Sequence, residues 1–143
     1  MGIFSRRPKT QFTSEKADAI AGTVATFYKA SLSAVDKDKL TQEDIDVAYA
    51  FAFGGIDYLT QAARMRDTNS VAKTTLLFLA NHLGIEKEAA LKQMHLMFSF
   101  SQSPAGLEIM KQGGTALKRF INQDMSAVSV LSDLIAGDYF TSS

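Results

Sequence analysis

The stretch DVAYAFAFGGIDYL, residues 46–59, places a bulky side chain at every second position. Val47, Tyr49, Phe51 and Phe53 alternate with Ala48, Ala50 and Ala52, and then Gly54 and Gly55 follow. A period of two is what a half-buried strand shows. Two observations favour a helix. A strand would need a polar face at Ala48, Ala50 and Ala52, and alanine is apolar and the best of the helix formers. At about 100° per residue, moreover, the segment from Thr41 to Arg64 sorts onto separate faces. Ile45, Ala48, Tyr49, Ala52, Ile56, Leu59 and Ala63 form one stripe, and Val47, Phe51 and Tyr58 form a second, nearly opposite. Asp46, Asp57, Gln61 and Arg64 share a narrow polar strip. The alternation therefore reflects a helix with apolar neighbours on two sides, the central helix of a bundle.

Gly54 and Gly55 each cost about 1 kcal/mol against alanine inside a helix. That cost is tolerated where something needs the space: another helix packed close, a kink, or a ligand against the backbone. Close helix packing is the expected reason. Gly55 borders the first stripe, so alanine there should destabilise more than alanine at Gly54.

Helices continue on both sides. Thr13 or Ser14 can cap a first helix, with Glu15 in its first turn and Ile20, Val24, Phe27, Ser31 and Val35 at helical spacing. Residues 36–40 read as a charged connection. Thr41 and Asp44 approximate a capping box at the head of the central helix. After a loop at 66–70, a third helix is expected from about Val71 to Leu83, stopped by Gly84, with Ile85 closing a Schellman-type contact. A fourth opens on Glu86 and Glu88 and carries Leu91, Met94, Met97 and Phe98. Ser103 followed by Pro104 starts a fifth. Gly113 and Gly114 are read as its stop, with Thr115 capping the next helix. A last helix then starts at Asp124 or Ser126 and ends near Gly137, unless 115–136 is one bent helix.

The chain has 143 residues, 46% of them hydrophobic and 21% charged, which is the composition of one globular domain. Fifteen basic and fifteen acidic residues balance, so the basic surface that nucleic-acid binding requires is missing. With no cysteine there is no disulfide, thiol nucleophile or zinc–thiolate site. No apolar run approaches the ~20 residues of a membrane span.

Catalytic and cofactor patterns are equally sparse. Neither His82, preceded three residues earlier by Leu79, nor His95, preceded by Lys92, completes the Glu-x-x-His pair of di-iron bundles. No globin pattern surrounds either histidine, so neither haem nor any other cofactor is expected. There is no Gly-x-Ser-x-Gly elbow. Gly113-Gly114-Thr115, if it opened a helix, could hold an anion weakly, but it lacks the Lys-Ser/Thr ending of a phosphate loop. Asp46 and Asp57 lie about 16 Å apart along the helix axis, too far to act on one bond. The segment MHLMFSF, residues 94–100, spreads its apolar residues over more than one face, and methionine-rich faces suit partner grooves.

The first five residues, Met1 to Ser5, resemble the opening of the phage shock protein A family. The resemblance implies a membrane-surface helix there, and contact of residues 1–9 with a membrane surface would follow from it. Pro8 breaks any continuation, and a loose tail is the plainer expectation.

The sequence thus predicts an all-α single domain at 13–137, a bundle of five to seven helices around a mostly buried helix at about 42–64. Tails are expected at 1–12 and 138–143. The expected function is a non-catalytic, cytoplasmic protein-interaction module: an adaptor, inhibitor or immunity-type protein whose partner is another protein or a second copy in a homodimer. The alternative is a small-molecule or lipid-binding bundle with an apolar cavity near Gly54 and Gly55. Tyr49, Phe51, Gly54, Gly55, Tyr58, Met94, Met97 and Phe98 are the candidate contact residues; no catalytic or metal-binding residue is expected.

Overall fold

A computed structural model describes residues 13–137 except Arg66, and the two expected tails lie outside the described residues. Six α-helices make up the described chain: α1 (Ser14–Ser33), α2 (Gln42–Ala62), α3 (Thr68–Leu76), α4 (Lys87–Phe100), α5 (Pro104–Ile121) and α6 (Val130–Ala136). Short 3-10 turns at Lys37–Lys39 and Met125–Ser129 join them, and α3 runs on into a π-helical segment, Leu77–His82. There is no strand among the described residues.

Local chemistry sets the boundaries. The Thr13 hydroxyl accepts from the Lys16 N–H at 3.0 Å and opens α1. At α2, the Thr41 hydroxyl accepts from the Asp44 N–H while the Asp44 carboxylate accepts from the Thr41 N–H, a reciprocal box with aspartate in place of the usual glutamate. Ser103 caps α5 through the Gly106 N–H at 3.0 Å, with Pro104 at the first helical position. Arg64 and Gln123 take positive φ (61° and 70°) just past α2 and α5. Each is followed by a bond from the next N–H back across the last turn, Met65 to Thr60 and Asp124 to Arg119, the Schellman closure made without glycine.

Three expectations require correction. α3 begins at Thr68, because the Asp67 carboxylate caps it by accepting from the Ser70 N–H at 3.1 Å; residues 68–70, taken for loop, already belong to the helix. Its end is also wider than an α-helix, with the Leu83 N–H reaching back five residues to Phe78. Gly84, at φ 73°, is the left-handed stop, as its place after the helix implies. Most consequentially, Gly113 and Gly114 stop nothing. They lie inside α5, which runs unbroken to Ile121, so their amides are engaged in the helix and cannot hold an anion. Residues 115–136 are neither one bent helix nor two full ones: α5 ends, a 3-10 turn capped by Asp124 follows, and α6 completes the chain.

The core forms around α2, in which every residue from Ala50 to Ile56 is buried. Its most extensive neighbour is α5, with α1, α3, α4 and α6 also against it. Aromatic rings tie the layers together. Phe27 of α1 lies between Phe51 of α2 and Phe120 of α5, with centroids 5.7 and 5.1 Å away. Tyr28 of α1 stacks on Tyr49 and meets Phe78 edge-on. Such pairs contribute about 0.5–1.5 kcal/mol each beyond the area they bury.

The helix caps predict the acid response. The Ser70 hydroxyl, helped by the Ser70 N–H, holds the Asp67 carboxyl below its ordinary range; the Ser126 hydroxyl and then the Arg119 guanidinium do the same for Asp124. A carboxyl depressed by folding stabilises the fold above its unfolded value of about 3.9, and this is lost as pH falls through the folded value. Thermal unfolding should therefore be flat from neutrality to about pH 5 and fall more acid than that. A double Asp67→Asn, Asp124→Asn variant should melt lower at neutral pH and show a shallower acid decline. Parallel acid limbs for the two proteins would contradict this.

Candidate functional site: the groove between α2 and α4

Helix α4 has an inner and an outer side. Ala90, Met94 and Met97 recur at helical spacing and are buried, which pins α4 to the bundle. Phe98 is partly buried, its ring 5.2 Å from that of Phe53. Leu91 and Leu96 do not fit inside; Leu96 is 57% exposed and Leu91 36%. The spread of apolar residues in MHLMFSF therefore separates into core and surface.

Beside this outer side runs an open groove of about 470 Å³, lined by Gln42, Asp46 and Tyr49 of α2 and by Gln93, Leu96, Met97, Ser99 and Phe100 of α4. Its floor is apolar and its rim carries amides, a hydroxyl and one carboxylate. The Asp46 carboxylate accepts from the Gln42 side-chain amide at 3.1 Å, one helical turn away. The Tyr49 ring rests on that of Tyr28 with centroids 5.8 Å apart. Burial pushes the Tyr28 phenol, and by less the Tyr49 phenol, above the ordinary value, with Tyr49 adding to the effect on Tyr28. Both are neutral near pH 7 and present hydrogen-bonding, uncharged groups.

The candidate residues divide. Tyr49 and Met97 meet in this groove, while Phe51 and Met94 are buried and taken up by packing. Gly54 and Tyr58 line a different groove, between α2 and α5, of about 480 Å³. Gly55 faces Leu117 and Val24 in the interior. Gln42, Gln93, Leu96, Ser99 and Phe100 complete the first groove without having been singled out. Leu96 was within the quoted motif, but its outward position depends on where Met94 and Met97 dock.

The glycines have a different role from a cavity wall. A methyl group on Gly54 would overlap the Met110 carbonyl, lying 2.7 Å from its carbon, and one on Gly113 would overlap the Phe51 carbonyl, 2.8 Å from its carbon. The arrangement is reciprocal: on each helix a carbonyl stands three residues before a glycine, and each glycine receives the other helix's carbonyl. Gly114 sits over the Gly54 carbonyl in the same crossing. Backbones this close make Cα–H···O contacts, which recur at helix–helix interfaces. The space beside Gly54 and Gly55 is thus taken by α5. The groove outside it is of mixed character, with Leu107 and Met110 beside Asp57, Tyr58, Gln61, Lys111 and Thr115.

The histidines are apart from both grooves. His82 ends the π-helical segment, its ring nitrogen 2.9 Å from the Asp18 carboxylate of α1 and its ring against Gly22. His95 is exposed on α4. Among the described residues, no three His, Asp or Glu side chains are grouped to hold a metal ion, and no helix is long and apolar enough to cross a membrane.

The chain matches no protein-family model, and no curated protein sequence or solved structure matches it.

Proposed function

We propose that this protein is a non-catalytic helical protein-interaction module, of the adaptor, inhibitor or immunity type, that offers the outer side of α4 and the α2–α4 groove to another protein or to a second copy of itself. The observation that carries the reading is the exposure of Leu96, and of Leu91, on a helix whose Ala90, Met94 and Met97 are buried, with Leu96 lining a groove together with Met97, Phe100 and Tyr49. Interface centres combine aromatic and methionine side chains with a polar rim in this way. The proposal also places the module in the cytoplasm. A small-molecule site at Gly54 and Gly55 has less support, because α5 fills the space those glycines open.

The test combines self-association with crosslinking. A photoreactive amino acid at position 96 should give one discrete adduct in cells, with a partner or with a second copy, and Leu91→Asp should suppress it. If the partner is a second copy, light scattering should give a dimer mass that Leu96→Asp halves, with the circular dichroism unchanged. A monomer that forms no adduct from position 96 refutes the reading.

A further inference from the structure

We infer that a second groove, at the junction of α3, its π-helical extension and the amino ends of α1 and α4, binds a single-chain amphipathic anion such as a fatty acid. This site is separate from the α4 surface and does not depend on the interaction proposed there.

The groove has a volume of about 570 Å³ and is lined by Ser14, Lys73, Leu76, Leu77, Ala80, Asn81 and Lys87. That size falls in the range of about 300–1,000 Å³ typical of small-ligand sites. Leu76, Leu77 and Ala80 supply an apolar floor from one continuous stretch, part of it the π-helical segment, a geometry found often at functional sites. The charges on the lining are both positive, Lys73 and Lys87, with no carboxylate among the lining residues. Glu86, next in the chain to Lys87, turns its carboxylate to the Ala89 N–H at 3.4 Å. The Lys73 charge is felt by Asp67, so Lys87, exposed and in no ion pair among the described residues, is the principal anchor.

Two helix ends meet there. Ser14 is the first residue of α1 and Lys87 the first of α4, and both line the groove. Glu15 in the first turn of α1, and Glu86 and Glu88 at the head of α4, offset the positive ends of those helices, so the charge offered to an anion at this rim is that of the two lysines. An apolar floor beneath a cationic rim matches an acyl chain ending in a carboxylate. A free inorganic anion would leave the floor uncovered, and a neutral lipid would leave the charge unused.

The test is titration of the full chain with decanoate, decanol and acetate, followed by calorimetry and by amide shifts of residues 73–87. Decanoate should bind and shift those amides, decanol should bind at least about tenfold more weakly, and acetate should not bind. Binding should weaken with added salt. Lys87→Glu should weaken decanoate by about tenfold or more, while Lys92→Glu, on the exposed side of the same helix, should leave it unchanged. Glutamate at the first position of a helix is favourable to folding, so Lys87→Glu keeps the fold. As a second variant, Ala80→Val, which narrows the floor, should also weaken decanoate. The inference is overturned if decanoate does not bind at about 1 mM, if decanol binds equally, if Lys92→Glu is as damaging as Lys87→Glu, or if the chain binds anionic vesicles but not monomeric decanoate.

Discussion

Gly54→Ala should lower stability by about 2–3 kcal/mol, a fall in Tm of roughly 10 °C, and Gly113→Ala should do the same. Each added methyl group meets a backbone carbonyl of the opposite helix, Met110 in one case and Phe51 in the other. Backbone cannot rotate away as a side chain can, so the helices must separate, and their separation disturbs the most extensive contact in the fold. Against this stands a gain of about 1 kcal/mol in helix propensity on replacing glycine with alanine. Steric overlap with two rigid helices outweighs it. Gly55→Ala should cost less, because the new methyl group meets the Leu117 side chain at 3.0 Å, and a leucine can shift by the few tenths of an ångström required. This order is the reverse of the one the helical wheel implies, which ranks Gly55 as the more sensitive. Urea unfolding of the three single variants measures it. A rise in Tm for Gly54→Ala would show that the crossing is not as close as described.

Phe51→Ala should be the most damaging single truncation, at about 3–5 kcal/mol, a large share of the ~5–15 kcal/mol that holds a domain of this kind folded. The Phe51 ring has no solvent exposure and stacks on Phe27, which in turn contacts Phe120. Its removal leaves a cavity where α1, α2 and α5 meet. Leu96→Asp, by contrast, should change stability by no more than about 0.5 kcal/mol, because the side chain is mostly in water already. Thermal melts of the two variants therefore separate a residue that holds the bundle from one that its surface presents. Equal Tm values for Phe51→Ala and the unaltered chain would contradict the packing described for α1, α2 and α5.

The central helix was legible because its evidence is local. Alanine between aromatics, the Thr41–Asp44 box and a single polar strip act within one helical turn, and the helix they describe is present from Gln42 to Ala62. The same holds for the caps at Thr13 and Ser103 and for the left-handed stop at Gly84, where one residue's backbone preference is enough. Gly113 and Gly114 misled because glycine has two roles with one local signature. It ends helices through its backbone freedom, and it permits close packing through its missing side chain. Only the position of another helix distinguishes them. The available clue was the repetition itself: two Gly-Gly pairs, at 54–55 and 113–114, in a chain that otherwise reads as helical.

The sequence by itself determined the all-helical class, most helix starts and the burial of the central helix, since these follow from propensity, capping and periodicity over a few residues. Tertiary structure decided the rest. The pairing of Gly54 with Met110 and Gly113 with Phe51, the π-helical end of α3, the exposure of Leu96 beside buried Met97, and the meeting of Lys73 with Lys87 all join groups that the local pattern leaves unrelated. Periodicity identifies which residues share a face of one helix. Which face is covered, and by what, is settled only when the helices pack against one another and each apolar side chain either finds a neighbour or is left in water.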